Sequence, residues 1–265
     1  MNLIESYNDI DEENRLQSSL ARSVEYMTTI GVIEKYITNA SRCIDIGCGV
    51  GIYSLFMARK GIKTIAVDLV PNHINRLVDL AHEASVELET YVGTALDLSK
   101  FDSDCFDITL CLGPLYHLLD RDDQLTCIQE CKRVTKKNGI LLFAYMSPYS
   151  VFPCAIRGDI TRMSLPLIGK IIDDHCIDAE SPYCFWTDTY FHDPSEAEKL
   201  ITESGLTIID HLATDGQSIA FQDVINHMNQ DEFTMWMQYH LKICRNRTIL
   251  GASNHGLVVA KKVNV

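Results

Sequence analysis

The residues with most chemistry to offer stand together early in the chain. Cys43-Ile-Asp-Ile-Gly-Cys-Gly-Val-Gly51 places Gly47, Gly49 and Gly51 at alternate positions behind a short apolar run. Glycines so spaced permit a tight turn and bring backbone N–H groups close to a ligand where a helix begins. Asp45, two residues before the first glycine, points its carboxylate into the same crevice, where it repels phosphate and welcomes an ammonium group. A dinucleotide fingerprint wants glycine where Ile52 stands, and no Gly-Lys-Ser/Thr triplet marks a phosphate loop. Asp68 follows Ile65-Ala-Val, about 20 residues beyond the turn, the spacing at which an acidic residue accepts bonds from ribose hydroxyls. Together the two carboxylates suit a ligand that joins a ribose to an ammonium group.

Residues 42–47, 63–68, 88–93, 105–112 and 139–146 read as short apolar strands, with helical stretches near 50–60, 71–85 and 121–137. Lys136-Lys137-Asn138-Gly139 reads as a basic, glycine-stopped helix end. This alternation predicts βαβ units and a parallel sheet covered on both faces. Asp193-Pro194-Ser195-Glu196 opens a further helix ending at Gly205, and strands follow at 206–212 and 256–262. Residues 147–192 and 215–250 break the alternation and read as insertions, the second helical and rich in aromatic and methionine residues. With no repeat or low-complexity linker, we expect one domain over 1–265. Within it, 1–39 forms an N-terminal helical lid, 40–146 the cofactor-binding core, and 147–192 and 215–250 a cap over the substrate.

In sequence order these features resemble the class I S-adenosylmethionine-dependent methyltransferases, including the small-molecule branch. The first motif of that family matches Asp45 through Gly51 and its second matches Asp68. Its third resembles Val92-Gly-Thr-Ala-Leu-Asp-Leu98, and its fourth Phe106-Asp-Ile-Thr-Leu-Cys-Leu-Gly-Pro-Leu-Tyr-His117. Arg133-Val-Thr-Lys-Lys-Asn-Gly-Ile-Leu-Leu142 matches the region that follows. The resemblance implies an α/β, Rossmann-like fold with a seven-stranded, mostly parallel sheet and an antiparallel last strand. It also implies S-adenosylmethionine as cofactor and S-adenosylhomocysteine as product. Gly47, Cys48 and Gly49 would lie against the methionine portion, and Asp45 would accept from its ammonium group. Asp68 would bind the ribose, Leu69 would pack on the adenine face, and Thr94-Ala95 would meet the adenine edge. Many relatives carry Asp where Thr94 stands, and Asp97 is an alternative acidic group that could equally cap a turn. Leu112 would present backbone near the sulfonium. His117, at the mouth of the methyl site, is the candidate general base or else a residue shaping the substrate pocket. Tyr7 and Arg15 could close over the cofactor.

Composition bounds the acceptor. Lys+Arg is 23 against Asp+Glu 36, a formal charge of −13, which gives no electrostatic footprint for a phosphate backbone. The longest apolar run, Gly139–Met146, is far short of a bilayer span, and the N-terminus does not read as a signal peptide, so a cytoplasmic protein is expected. None of the ten cysteines forms a Cys-x-x-Cys pair, so they read as free thiols, and no metal site is expected; Cys127 and Cys131 share a helix face without an evident partner. Tyr116 and Tyr149 read as pocket walls, the Trp236-Met237-Tyr239 stripe as cap core, and His192, His211 and His255 as structural. The expected reaction is methyl transfer to a small-molecule oxygen, nitrogen or sulfur. A tRNA methyltransferase acting on wobble-uridine side groups and a SAM-binding regulator without catalysis stay open as alternatives. Leu112-Gly-Pro-Leu-Tyr116 stands where methyltransferases of exocyclic amines carry Asn-Pro-Pro-Tyr, which argues against that class.

Overall fold

Apolar runs without polar alternation become strands buried on both faces. The computed structural model describes residues 3–8, 13–37 and 41–263. Asp9, Asp11 and Glu12, between Tyr7 and Arg15, lie outside these residues. Five strands lead the chain: β1 (Arg42–Ile46), β2 (Lys63–Asp68), β3 (Glu89–Val92), β4 (Phe106–Cys111) and β5 (Thr135–Met146). They are followed by β6 (Cys176–Ile177), β7 (Thr189–Tyr190), β8 (Thr207–Ala213) and β9 (His255–Lys261). Seven of them form one sheet in the order β3-β2-β1-β4-β5-β9-β8. β9 runs antiparallel to both neighbours and the other pairings are parallel, which is the expected sheet with its reversed last strand.

Eleven helices are described: α1 (Leu3–Asn8), α2 (Leu20–Ile33), α3 (Ile52–Arg59), α4 (Pro71–Glu83), α5 (Arg121–Val134), α6 (Pro148–Gly158), α7 (Leu165–Ile172), α8 (Pro194–Glu203), α9 (Gln222–Ile225), α10 (Gln230–Ile243) and α11 (Arg247–Leu250). One sheet face packs on Cys127, Ile128, Cys131 and Val134 of α5 and on Ala197, Leu200 and Ile201 of α8. The other packs on Val32 and Ile33 of α2, Met57 of α3 and Leu250 of α11. Residues 147–192 fold as α6, α7 and the β6–β7 pair, burying Val151, Leu167, Ile171 and Phe191 against Tyr116 and Met146 at the end of the sheet. In 215–250, Phe233 and Met237 pack on Ala21 and Val24 of α2, while Trp236 donates to Ser218 Oγ at 2.9 Å. No helix among the described residues is long and apolar enough to cross a membrane.

One boundary moved. The spacing predicts a helix to residue 137 with a glycine stop, but α5 ends at Val134 and Thr135 is already extended, with ψ 135°. The Thr135 hydroxyl donates to Cys131 O at 2.6 Å and so satisfies a last-turn carbonyl three residues early. Asn138, at φ +63°, takes the left-handed conformation expected of a glycine.

The glycine turn between β1 and α3 depends on two approaches. Gly47 (φ +68°) faces the Pro114 ring, and Gly51 (φ +81°) faces the Leu77 side chain of α4 so closely that a Cβ would collide with it. Gly51→Ala should therefore lower stability by about 1–3 kcal/mol, combining strained backbone with overpacking. Equilibrium denaturant unfolding checks this, and a midpoint equal to the parent's would contradict it.

Candidate active site

In a parallel sheet, ligands bind beyond the carboxyl ends of the strands. β1, β2 and β4 deliver Asp45, Asp68 and Leu112 to that edge, and because β9 is reversed it brings its first residue, His255, to the same edge.

A cavity there is lined by Tyr7, Arg15, Asp45, Gly47, Cys48, Gly49, Gly51, Asp68, Leu69, Thr94, Ala95, Leu112 and His117, so it gathers the expected cofactor-binding residues and the candidate base. Asp97 is not among its walls; its carboxylate accepts from Ser99 N–H at 2.9 Å and caps a turn. Tyr116 lines the cavity, whereas Tyr149 instead donates to Asp193 at 2.7 Å.

The glycine turn is wired differently from expectation. Gly47 and Cys48 N–H both donate to Val67 O, at 2.8 and 3.1 Å, and Gly49 N–H donates to Asp68 Oδ2 at 2.7 Å. These N–H groups hold the turn to β2 instead of aiming at a ligand, so what the three residues give the cavity is room for close approach. Asp68 is held at three points, since its Oδ1 also accepts from Val70 N–H at 2.8 Å and meets His73 Nδ1 at 3.2 Å. In a neutral ring whose Nδ1–H donates to Asp68, His73 Nε2 is an acceptor; it is buried, lies in the cavity wall and has no hydrogen-bond partner among the described residues. The sequence reading missed His73, although its place in the first turn of α4, five residues past Asp68, was a usable signal.

Asp45 is 1% exposed and accepts from Ser54 Oγ at 2.6 Å. Burial raises its carboxyl to about 7, the Ser54 hydrogen bond opposes the rise and the nearby Asp68 charge adds to it. A cation would relieve this, since it favours the ionised form.

Tyr7 packs edge-on against three rings, those of His73, His117 and Trp186, at centroid distances of 5.3, 5.5 and 5.6 Å. His117 Nδ1–H donates to Asp188 O at 2.8 Å, which leaves Nε2 to accept from the Tyr7 hydroxyl at 2.7 Å. Burial lowers His117 to about 4, against a smaller upward pull from the Asp188 carbonyl, so the ring is neutral at physiological pH. The segment bearing Tyr7 is pinned further on, where Glu13 takes Arg76 at 2.7 and 2.8 Å.

Two clusters were not visible in the sequence. Cys111 of β4 joins Cys127 and Cys131 of α5, their sulfurs within 4.8 Å of one another in the buried core, so the helix pair does have a partner and the trio has the makings of a soft-metal site. Glu25, Asp215 and His255 also group within 4.8 Å and could hold a divalent cation. In the structure His255 Nδ1 lies 3.3 Å from both Glu25 Oε2 and Asp215 Oδ2. Burial alone would lower His255, but the Glu25 charge and the bonds to both carboxylates outweigh it and raise the ring to about 9. Glu25 falls to about 2, its burial being outweighed chiefly by His255. These residues come from α2, the end of β8 and the start of β9, so no local pattern announces them.

Residues 44–143 match the methyltransferase-domain family. The chain is 31% identical over 137 residues to a ubiquinone biosynthesis O-methyltransferase of Hahella chejuensis, covering 50% of this chain and 56% of that protein. It spans about half the length of the curated relatives it matches. Among solved structures, a SAM-dependent methyltransferase of Methanosarcina mazei superposes with TM-score 0.60 at 18% identity, over 88% of this chain and 98% of that one. A Burkholderia thailandensis 1,6-didemethyltoxoflavin-N1-methyltransferase, solved with bound 1,6-didemethyltoxoflavin and S-adenosylhomocysteine, superposes with TM-score 0.59 at 13% identity, over 98% of this chain and 85% of that one. Residues 44–143 thus carry a methyltransferase domain, and the chain has the fold of the solved methyltransferases.

The two histidines should titrate at opposite ends. Folded His117 resists a proton that the unfolded chain accepts below about 6.5, so its contribution to stability is present above that pH and lost on acidification towards about 4. His255 contributes stability below about 6.5 that is lost as pH rises through about 9. Histidine-resolved NMR should show His117 neutral and His255 cationic at pH 7. A His255 ring that is neutral there would contradict the cluster's geometry.

Proposed function

We propose that the protein transfers a methyl group from S-adenosylmethionine to an oxygen of a small-molecule acceptor. The observation that carries this reading is the single cavity in which the turn, both strand-end carboxylates and the Tyr7–His117 pair meet. The name of the Hahella relative supports oxygen as the receiving atom. When bound, the cofactor supplies a methyl group already activated by its sulfonium.

The chain's own residues bind, orient and exclude water. Asp45 takes the ammonium group, with Gly47, Cys48, Gly49 and Gly51 giving the methionine portion close approach. Asp68 faces the ribose hydroxyls, and the free Nε2 of His73 accepts from one of them. Leu69, 40% exposed for an apolar side chain in a cavity wall, gives adenine a face; Thr94 and Ala95 meet its edge. Leu112 borders the sulfonium. Tyr7 and Arg15 close the crevice as parts of a lid formed by the described residues of 1–39 over the core, and the insertions at 147–192 and 215–250 form the cap. Holding two reactants in line this way can contribute about 7–11 kcal/mol to lowering the barrier. His117 is the candidate base. Its Nε2 lone pair faces the Tyr7 hydroxyl, so a proton leaving the acceptor reaches it through Tyr7.

The alternatives are less well supported. Lys132 donates to Ser204 O, Arg133 to Glu130 and two carbonyls, and Lys136 to Asp107, so that basic run offers little free charge to a nucleic acid. A regulator without catalysis would need no space beside the methyl site, yet a second cavity shares Arg15 and Leu16 with the first.

Calorimetric titration with S-adenosylhomocysteine tests the cofactor assignment. Asp68→Asn should weaken binding by about 1.5–3 kcal/mol, as expected for lost hydrogen bonds to a charged group. An affinity equal to the parent's would remove Asp68 from the ribose site. In the same preparation His117→Ala should keep the affinity and lose methyl transfer, and undiminished transfer would take His117 out of the mechanism.

A further inference from the structure

The second cavity, about 230 Å³, lies behind the wall formed by Arg15 and Leu16 and is bounded by α2, α6 and the starts of the chain segments that leave β8 and enter β9. It is smaller than the roughly 300–1,000 Å³ usual for drug-sized ligands, so its occupant is small. Tyr116, a wall of the cofactor cavity, has its ring 6.0 Å from that of His255, a wall of this one, so the two spaces adjoin at the methyl end of the sheet.

The charges around this space run against the acidity of the chain. Arg15, Arg22 and Arg157 line it, and among the described residues the only carboxylates in its walls, Glu25 and Asp215, both face His255. Asp215 is further satisfied by Ser253 Oγ at 2.5 Å and Asn254 N–H at 2.8 Å. Arg15 pairs with Glu25 at 3.8 Å, and Arg157 pairs with the outlying Asp223 at 3.5 Å while donating to Ile219 O. Arg22 is exposed; among the described residues its guanidinium makes no hydrogen bond or close ion pair, though Glu25 feels its charge. In a protein of net charge −13, guanidinium groups gathered around one partly open space, with the exposed Arg22 at its rim, form a local anion site.

We propose that this cavity is the acceptor subsite and that the methyl acceptor is a small molecule bearing a carboxylate, held by Arg22 and Arg157. The proposal rests on the cofactor reading above, because it places the acceptor against the methyl end of the first cavity. His255, fixed through Nδ1 by the two carboxylates, closes the floor of the subsite, and Arg15 bridges cofactor and acceptor. Charge selects the acceptor here, since an uncharged analogue leaves the arginines without the anion they are arranged to receive.

The test uses the full chain saturated with S-adenosylhomocysteine, titrated with benzoate, 4-hydroxybenzoate and succinate and with the neutral amide of each. At least one carboxylate should bind ten-fold or more tightly than its amide. Arg22→Glu should weaken that carboxylate ten-fold or more while S-adenosylhomocysteine affinity changes less than two-fold, which also shows that the variant is folded. Amides that bind as tightly as their acids, no binding by any of the three carboxylates, or an Arg22→Glu variant that binds the carboxylate like the parent would each overturn the subsite. Failure of S-adenosylhomocysteine itself to bind would instead overturn the cofactor reading beneath it.

Discussion

Everything at this site depends on holding the Asp68 carboxylate still inside the protein. A buried carboxylate is expensive unless its oxygens are satisfied. Asp68 meets that condition with Gly49 N–H, Val70 N–H and His73, three groups from three consecutive pieces of chain. The same bonds fix the glycine turn against β2 and seat the first turn of α4. The turn's positive-φ glycines, the approach of Leu77 and the position of Asp45 all follow from this fastening. One carboxylate thus shapes the cavity and remains at its wall, where a ribose would meet it.

The second organising feature is electrostatic. Asp45 is buried near Asp68 and its carboxyl is raised to about 7, so the cofactor cavity is short of positive charge. Across the Arg15–Leu16 wall the balance reverses, with arginines outnumbering carboxylates that are themselves engaged with His255. A cationic cofactor on one side and an anionic acceptor on the other would each find the opposite charge. The neutral Tyr7–His117 pair borders the first of these spaces, and its low basicity follows from burial.

Much of this was legible in the sequence because it is local. Glycines at 47, 49 and 51, acidic residues ending two apolar runs and the alternation of strand and helix are short-range patterns, and they located the sheet, its edge and the cavity walls. The direction of the turn's N–H groups was not legible, because it depends on pairing with Val67 O on the next strand. The end of α5 was missed because a threonine hydroxyl, and not a glycine, took the last carbonyl. Glu25, Asp215 and His255 meet only through the reversal of β9, and Cys111 meets Cys127 and Cys131 only when β4 packs on α5. Such groupings come from topology, which spacing along the chain does not encode.

Two adjoining cavities would bring a methyl donor to a small acceptor. The most direct measurement is to incubate the purified protein with methyl-labelled S-adenosylmethionine and a cell extract separated into small-molecule, RNA and protein fractions. Label is expected in the small-molecule fraction, on a compound retained by an anion exchanger. Label confined to RNA or protein would contradict it, as would saturable cofactor binding with no transfer to any fraction.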